Sequence, residues 1–126
     1  MIERLIPEGY VSPRGPYSHV VRAGGFLFVS GQTPIDSATD QMSYGTIEHE
    51  TRLVLNNIKG LLEGTGASLA DVVKVSVFLR DGDDFAAMNA VYAEFFGAAK
   101  PARTTVEAKF ANKQMKIEID CIAYKP

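Results

Sequence analysis

Arg103 is the residue whose type and position first suggest a chemical role. It follows Lys100-Pro101-Ala102 at the start of a β-type run, where the proline stiffens the chain and can aim the side chain. A guanidinium presents a planar fork of N–H donors, which matches the two oxygens of a carboxylate. A surface arginine paired with an acid explains the same pattern, and the residues alone leave both interpretations open.

Two further positions could complete an anion site or handle a proton. Ser30-Gly31-Gln32 ends a strand with a glycine, where a ligand can approach backbone N–H groups closely, although a plain strand-end turn fits equally. Asp120 lies inside a predicted strand, where aspartate is uncommon. It fits either an ion pair with a nearby Lys or Arg, or a carboxylate that orients or deprotonates water.

Other chemistries have no signature in the chain. There is no phosphate-binding loop, no nucleophile elbow and no His/Cys spacing typical of a metal site. The two histidines, His19 and His49, are far apart and fit surface or capping roles better than metal ligation. Cys121 is the one cysteine, so no internal disulfide can form, and its position predicts a buried, inert thiol. We therefore expect no metal site.

Composition and charge exclude several classes of protein. The 126 residues, with 46% hydrophobic and 22% charged, suit one domain spanning 1–126. The formal net charge is −2 and the 13 Lys and Arg residues are scattered, which argues against general nucleic-acid binding. No apolar run approaches the length of a membrane span, and the N-terminus lacks the pattern of a signal peptide. We expect a cytoplasmic protein that does not associate with membranes.

Hydrophobic periodicity predicts the elements that must position these residues. The segment up to Tyr17 is rich in Pro and Gly and should be irregular or extended, whereas 18–22 and 26–30 form a hairpin around Gly24-Gly25. A loop over 33–44 precedes an amphipathic helix over 47–64 and a strand over 72–79. A second helix follows Asp83 or Asp84, with strands near 103–108 and 116–124 after it. The order β-β-α-β-α-β-β predicts a two-layer α/β fold with both helices on one face of a mixed sheet.

The last predicted strand indicates what the other sheet face does. Its alternate residues 117, 119, 121 and 123 are apolar or small and suit packing under the helices. The opposite face mixes charged with bulky apolar groups, as subunit interfaces and clefts often do; it carries Lys116, Glu118, Asp120, Ile122 and Tyr124. Because helices cover only one face of the sheet, we expect an oligomer.

Six motifs resemble those of the Rid (reactive intermediate deaminase, YjgF-like) family, in order and at family spacing. Each is weak alone, but together they cover nearly the whole chain, with the first dozen residues matching least. The motifs are Gly15-Pro16-Tyr17-Ser18, Val29-Ser30-Gly31-Gln32, Val73-Lys74-Val75-Ser76-Val77-Phe78, Met88-Asn89-Ala90-Val91-Tyr92, Lys100-Pro101-Ala102-Arg103 and Lys116-Ile117-Glu118-Ile119-Asp120.

This resemblance implies a chorismate-mutase-like fold and a homotrimer, with the sheets in a central barrel and the helices outside. Three clefts between adjacent subunits would each take a small imino or keto acid. Arg103 and the Gly31 backbone N–H would hold the substrate carboxylate. Tyr17 of the neighbouring chain would close the pocket, which Ser30 and Asn89 would line.

The activity implied is hydrolysis of reactive 2-imino or 2-enamino acids to 2-keto acids and ammonia, without metal or organic cofactor. Enzymatic family members place a water between a glutamate on the last strand and a backbone carbonyl two residues after the arginine. By the resemblance, these positions correspond to Asp120 and Thr105, beside the anchor Arg103. Asp in place of Glu would withdraw the carboxylate by about one C–C bond, ~1.5 Å. A shift of that size is enough to lower the rate.

Three alternatives remain open. A catabolic 2-aminomuconate-type deaminase would use the room left by Asp120 for a longer acid. A non-catalytic trimer would keep the Arg103 carboxylate site without activating water. RNA cleavage or translation inhibition, attributed to relatives, is disfavoured by the negative charge and by the lack of a suitable histidine pair.

Overall fold

A computed structural model describes all 126 residues of the chain as one six-stranded sheet with two helices on one face. The fold also contains a separate hairpin of two strands with two residues each, and two short 3-10 turns, Leu69–Asp71 and Gly82–Asp84. The elements are β1 (Ile2–Leu5), β2 (Val20–Ala23), β3 (Phe26–Gln32), β4 (Ile35–Asp36), β5 (Gln41–Met42), α1 (Ile47–Glu63), β6 (Val72–Leu79), α2 (Phe85–Phe96), β7 (Ala102–Glu107) and β8 (Ile117–Tyr124).

The sheet has the strand order β1-β2-β3-β8-β6-β7. Neighbouring strands are antiparallel except β6 and β7, which run parallel and are joined through α2. The predicted mixed sheet with helices on one face is therefore confirmed. Its two open edges are β1 and β7, and the second of these carries Arg103.

The chain adds two features to the predicted order. β1 forms within the segment expected to be irregular or extended, because β2 offers it an antiparallel partner, with Ile2 opposite Ala23 and Leu5 opposite Val20. Three of its four residues are exposed, so the sequence shows no alternation between buried and exposed faces. The predicted loop over 33–44 contains the hairpin of β4 and β5, with Ile35 opposite Met42.

Both helices begin and end close to the predicted residues. Thr46 caps α1 by accepting a hydrogen bond from the His49 N–H at 3.1 Å, and the helix ends before Gly64. Asp84 directly precedes α2, which ends before Gly97. The apolar face of α1 is buried against β3 and β8. Neither helix is both long and apolar enough to cross a membrane.

The two faces of the sheet differ as the last strand predicts. Residues 117, 119, 121 and 123 of β8 are at most 2% exposed and belong to the core. The opposite face exposes an aromatic cluster. The ring centroid of Phe26 lies 4.9 Å from that of Tyr124 and 6.3 Å from that of Phe28. These three rings are 42–45% exposed. No element of the chain covers this face.

Candidate functional site

Arg103 points from β7 toward α2 rather than into solvent. It stands beside Val75 of β6, in the row of residues that faces the helices. Its Nη1 donates a hydrogen bond to Oδ1 of Asn89 at 2.7 Å. Its Cζ lies over two rings of α2, 4.6 Å from the centroid of Tyr92 and 5.5 Å from that of Phe85. The guanidinium thus rests on a helix face built from an amide and two aromatic side chains.

No acidic side chain of the chain pairs with Arg103. The three ion pairs in the structure involve other residues, namely Arg14–Asp40, Arg52–Glu94 and Lys116–Glu50. A guanidinium has five N–H donors, and Asn89 takes one of them. Within one chain the ion-paired interpretation of Arg103 therefore does not apply, and a fork of free donors remains for an anion from outside.

The α2 residues around Arg103 follow helical spacing. Phe85, Asn89 and Tyr92 are separated by four and then three positions, so they form one stripe on the helix. Tyr92 is 7% exposed, and its hydroxyl is buried without a hydrogen-bond partner. Burial raises the pKa of this phenol, and the positive charge of Arg103 partly opposes the rise.

Gly31 lies at an irregularity in β3. Val29 is opposite Cys121 and Gln32 is opposite Ile119, so β3 takes three steps where β8 takes two. The extra residue is a β-bulge, a feature that turns a strand and redirects its groups. A Cβ atom on Gly31 would overlap Oε2 of Glu118 and stand 2.9 Å from its Cδ. The absence of a side chain at Gly31 therefore makes room for the Glu118 carboxylate.

The acid predicted to act on water was Asp120, and the structure places a different acid against Gly31. Glu118 and Asp120 share the outer sheet face, opposite Phe78 and Ser76 of β6. Burial, and secondly the charge of Asp120, raise the pKa of Glu118. Glu118 was absent from the predicted site residues. Its signal in the sequence was an acid two positions before Asp120, hence on the same strand face as that residue.

Ser30 adjoins Gly31 on β3, and two hydrogen bonds join it to the segment that follows Tyr17. The Ser30 N–H donates to the carbonyl of His19 at 2.9 Å, and its hydroxyl donates to the carbonyl of Ser18. Tyr17 precedes these residues, is 56% exposed, and meets the His19 ring edge-on at 6.4 Å between centroids. We call Tyr17, Ser30, Gly31 and Glu118 the β3 group.

Thr105 belongs with Arg103 and Asn89. It is two positions after Arg103 on β7 and so faces the helices as well. Its hydroxyl is buried without a partner. We call Asn89, Arg103 and Thr105 the β7 group.

The two groups are too far apart to share one small substrate within a chain. β3 and β7 are separated by β8 and β6. Three steps of about 4.8 Å put Gly31 of β3 about 14 Å from β7, and two such steps put Glu118 of β8 about 10 Å from β7. The Arg103 side chain also faces the helices, whereas Glu118 faces the other side of the sheet. A single chain therefore holds the predicted site residues as two separate half-sites.

Two cavities within the chain lie elsewhere. They measure about 60 and 450 Å³ and share the lining residues Val11, His19, Ile35 and Asp40, between the N-terminal segment and the β4–β5 hairpin. Tyr17 lines the larger one, but neither is lined by Gly31 or Arg103.

Known proteins resemble this chain over nearly its whole length. A family described as endoribonuclease L-PSP matches residues 9–125. A RutC family protein of Pyrococcus horikoshii is 52% identical over 125 residues, covering 99% of each chain. A protein of Dermatophagoides farinae named 2-iminobutanoate/2-iminopropanoate deaminase is 40% identical over 110 residues, covering 87% of this chain and 86% of the relative.

Solved structures share the whole fold. A Rid family protein of unknown function from Yersinia pestis superposes with a TM-score of 0.92 at 33% identity, over 98% of this chain and 99% of that one. TdcF of Escherichia coli with bound serine gives a TM-score of 0.88 at 31% identity, with the same coverage. The chain belongs to the endoribonuclease L-PSP family, the Rid/YjgF family that its motifs resemble.

Proposed function

We propose that the protein hydrolyses reactive 2-imino or 2-enamino acids to 2-keto acids and ammonia. The observation that carries the proposal is Arg103, a partly buried guanidinium with no acidic partner, one donor bound to Asn89 and the others free. Such a fork suits the carboxylate of a 2-imino acid. The deaminase name of the Dermatophagoides farinae relative and the serine in the TdcF structure support a small, carboxylate-bearing ligand.

The proposal includes a homotrimer with its sites between subunits. The β7 group of one chain would face the β3 group of its neighbour, which joins the half-sites that a single chain holds apart. The exposed rings of Phe26, Phe28 and Tyr124 support burial of the outer sheet face in such an assembly. A cytoplasmic location is also proposed, in keeping with a lone free thiol, Cys121, and no disulfide.

The proposed reaction needs little chemical machinery because an iminium carbon is already electrophilic. Arg103 and the Gly31 N–H would hold the substrate carboxylate, with Asn89 and Ser30 lining the pocket and Tyr17 closing it. A water near the Thr105 carbonyl attacks the C=N carbon and gives a proton to a carboxylate. The carboxylic acid then returns that proton to the nitrogen of the tetrahedral adduct. The C–N bond breaks as the C=O of the keto acid forms, and the hydroxyl proton passes by way of the carboxylate to the departing ammonia, which leaves as ammonium. Positioning would supply most of the rate.

The carboxylate in this scheme was predicted to be Asp120, and the geometry supports Glu118 more strongly. Glu118 touches the bulge at Gly31, where the substrate carboxylate would bind, whereas Asp120 lies opposite Ser76. A carboxylate with a raised pKa is also a stronger base. Asp120 would then act on Glu118 through its charge.

The test uses imines generated in situ by an amino-acid oxidase from a panel of amino acids, with semicarbazide trapping to follow their decay. Wild type should accelerate decay. Arg103→Ala should lose about ten- to a hundredfold in rate, because a charge-assisted contact contributes about 1.5–3 kcal/mol. Arg52→Ala, which removes an exposed arginine bound to Glu94, is the matched control and should match wild type. Full activity of Arg103→Ala would remove the anchor from the proposal.

A non-catalytic carboxylate-binding protein is the second candidate function. It is favoured by the fact that Arg103 keeps free donors for an anion within one chain, whereas Glu118, the proposed base, lies on the other face of the sheet. The same assay separates the two. Binding of a 2-keto acid that depends on Arg103, with no acceleration of any imine in the panel, would favour the binding protein.

A further inference from the structure

Tyr92 is a buried polar residue that the proposed reaction does not use. Its ring lies beneath the Arg103 guanidinium, with 4.6 Å between Cζ and the ring centroid, while its hydroxyl is buried and has no hydrogen-bond partner. A buried hydroxyl without a partner is destabilising. The contribution of Tyr92 to the fold therefore comes from its ring.

The Asn89 hydrogen bond alone does not fix the guanidinium. It holds one nitrogen, Nη1, of a long and flexible side chain, and it leaves the plane of the fork free to turn about that contact. The Tyr92 ring supplies a second, flat contact on the same helix stripe. Two contacts of different kinds define both the position and the plane of the fork.

An aromatic support also leaves the arginine's charge available. A carboxylate in the place of Tyr92 would bind the same N–H donors as the substrate and would compete with it. A ring attracts the cation through its quadrupole and takes no N–H donor. Phe85, 43% exposed and 5.5 Å from Cζ, adds a second ring on the more open side.

We propose that Tyr92 is a positioning residue whose ring orients Arg103 for carboxylate binding. The inference rests on the proposed function, because it takes Arg103 as the carboxylate anchor. It predicts that the ring is required and that the hydroxyl is dispensable.

The experiment measures the Kd of 2-oxobutanoate by calorimetry, together with kcat and KM on an imine, for Tyr92→Phe, Tyr92→Leu, Arg103→Ala and Tyr92→Leu/Arg103→Ala. Tyr92→Phe should match wild type in Kd and have an equal or higher Tm. Tyr92→Leu should raise Kd and KM about 5- to 30-fold, the range of a cation–π contact, with a smaller change in kcat. The double variant should bind no more weakly than Arg103→Ala, because the two residues act as one unit.

Leu27→Val is the control for general loosening of the core. Leu27 is 0% exposed and lies on β3, separated from β7 by β8 and β6, so this change should lower Tm and leave Kd unchanged. Should Tyr92→Leu fail to fold, Tyr92→Met removes the ring while filling more of its space, and the same Kd is expected to rise.

Three results would overturn the positioning role: unchanged Kd in Tyr92→Leu, equal weakening by Tyr92→Phe and Tyr92→Leu, or strictly additive effects of Tyr92→Leu and Arg103→Ala. If Arg103→Ala binds 2-oxobutanoate as well as wild type, the proposed function fails first. If Arg103→Ala weakens binding and Tyr92→Leu does not, only the positioning role fails.

Discussion

Glu118 occupies the space that a side chain on Gly31 would fill. Its Cδ would be 2.9 Å from a Cβ atom at that position, and Oε2 would overlap it. The contact joins the bulge in β3 to the strand that carries both outer-face acids. A backbone N–H proposed to hold a carboxylate and a carboxylate proposed to act on water are thus packed directly together.

Gly31→Ala should lower kcat/KM for imine hydrolysis by at least tenfold and by as much as a hundredfold, the order expected for a displacement of about 1 Å in a site. The added methyl forces the Glu118 side chain to move, because Cγ as well as Cδ lies close to it.

Gly82→Ala is the matched control for Gly31→Ala. Its Cβ would approach a glutamate oxygen too, at 3.1 Å from Oε2 of Glu107, but in an exposed turn. It should keep full activity. Equal activity of Gly31→Ala and wild type would show that the Glu118 position does not matter to the reaction.

The pH dependence of kcat/KM should report Glu118. Burial and the charge of Asp120 raise its pKa above the ordinary value of 4.5, so activity that needs the ionised carboxylate should fall as pH drops through that raised pKa. Asp120→Asn removes one cause of the rise and should shift this acid limb to lower pH while activity persists. Glu118→Gln should abolish the limb together with most of the rate.

The opposite effects of the two substitutions would assign the role to Asp120. Loss of the rate in Asp120→Asn, with Glu118→Gln active, would restore Asp120 as the acid, as the sequence predicted.

The stability of the Glu118→Gln variant supplies an independent check. A carboxyl with a raised pKa in the folded state favours folding when protonated, so its contribution is lost as pH rises through that pKa. Glu118→Gln should therefore raise Tm at pH 7, and the gain should vanish in acid.

Mixing two impaired variants, Arg103→Ala and Glu118→Gln, should restore activity if the half-sites come from different chains. Arg103→Ala chains keep an intact Glu118, and Glu118→Gln chains keep an intact Arg103. When the two are unfolded, mixed and refolded together, random assembly into a ring leaves about a quarter of the sites with both residues. Each variant refolded alone is the control. No recovery in an assembly shown to be mixed would place both groups of one site in a single chain.

Cys121 should be unreactive in the folded protein. Burial, and secondly Asp120, raise the pKa of its thiol to about 12, so the thiolate that attacks disulfide reagents is scarce at pH 8. Ellman's reagent should label the one thiol only as the chain unfolds in denaturant. Rapid labelling of the native protein at pH 8 would contradict the buried position of Cys121 beneath the helices.

Local patterns determined most of the fold. The 3.6-residue spacing in α1 and the alternation in β8 each record which face is buried, because burial must repeat with the period of the backbone. Both elements lie where the sequence places them. β1 was not predicted because it forms only by pairing with β2, which lies later in the chain. An exposed edge strand also has no alternation of buried and exposed residues that the sequence could show.

For the candidate site, too, some features follow from the sequence and others only from the tertiary structure. The sequence by itself determined that Arg103, Asn89 and Gly31 carry motifs of one family, since residue types and their order are properties of the chain. Tertiary structure decided that Arg103 has no acidic partner and rests on Tyr92, and that Glu118 touches Gly31. These contacts depend on strand order and on a one-residue bulge in β3. A single extra residue changes which side chain meets which neighbour, and no local pattern records it.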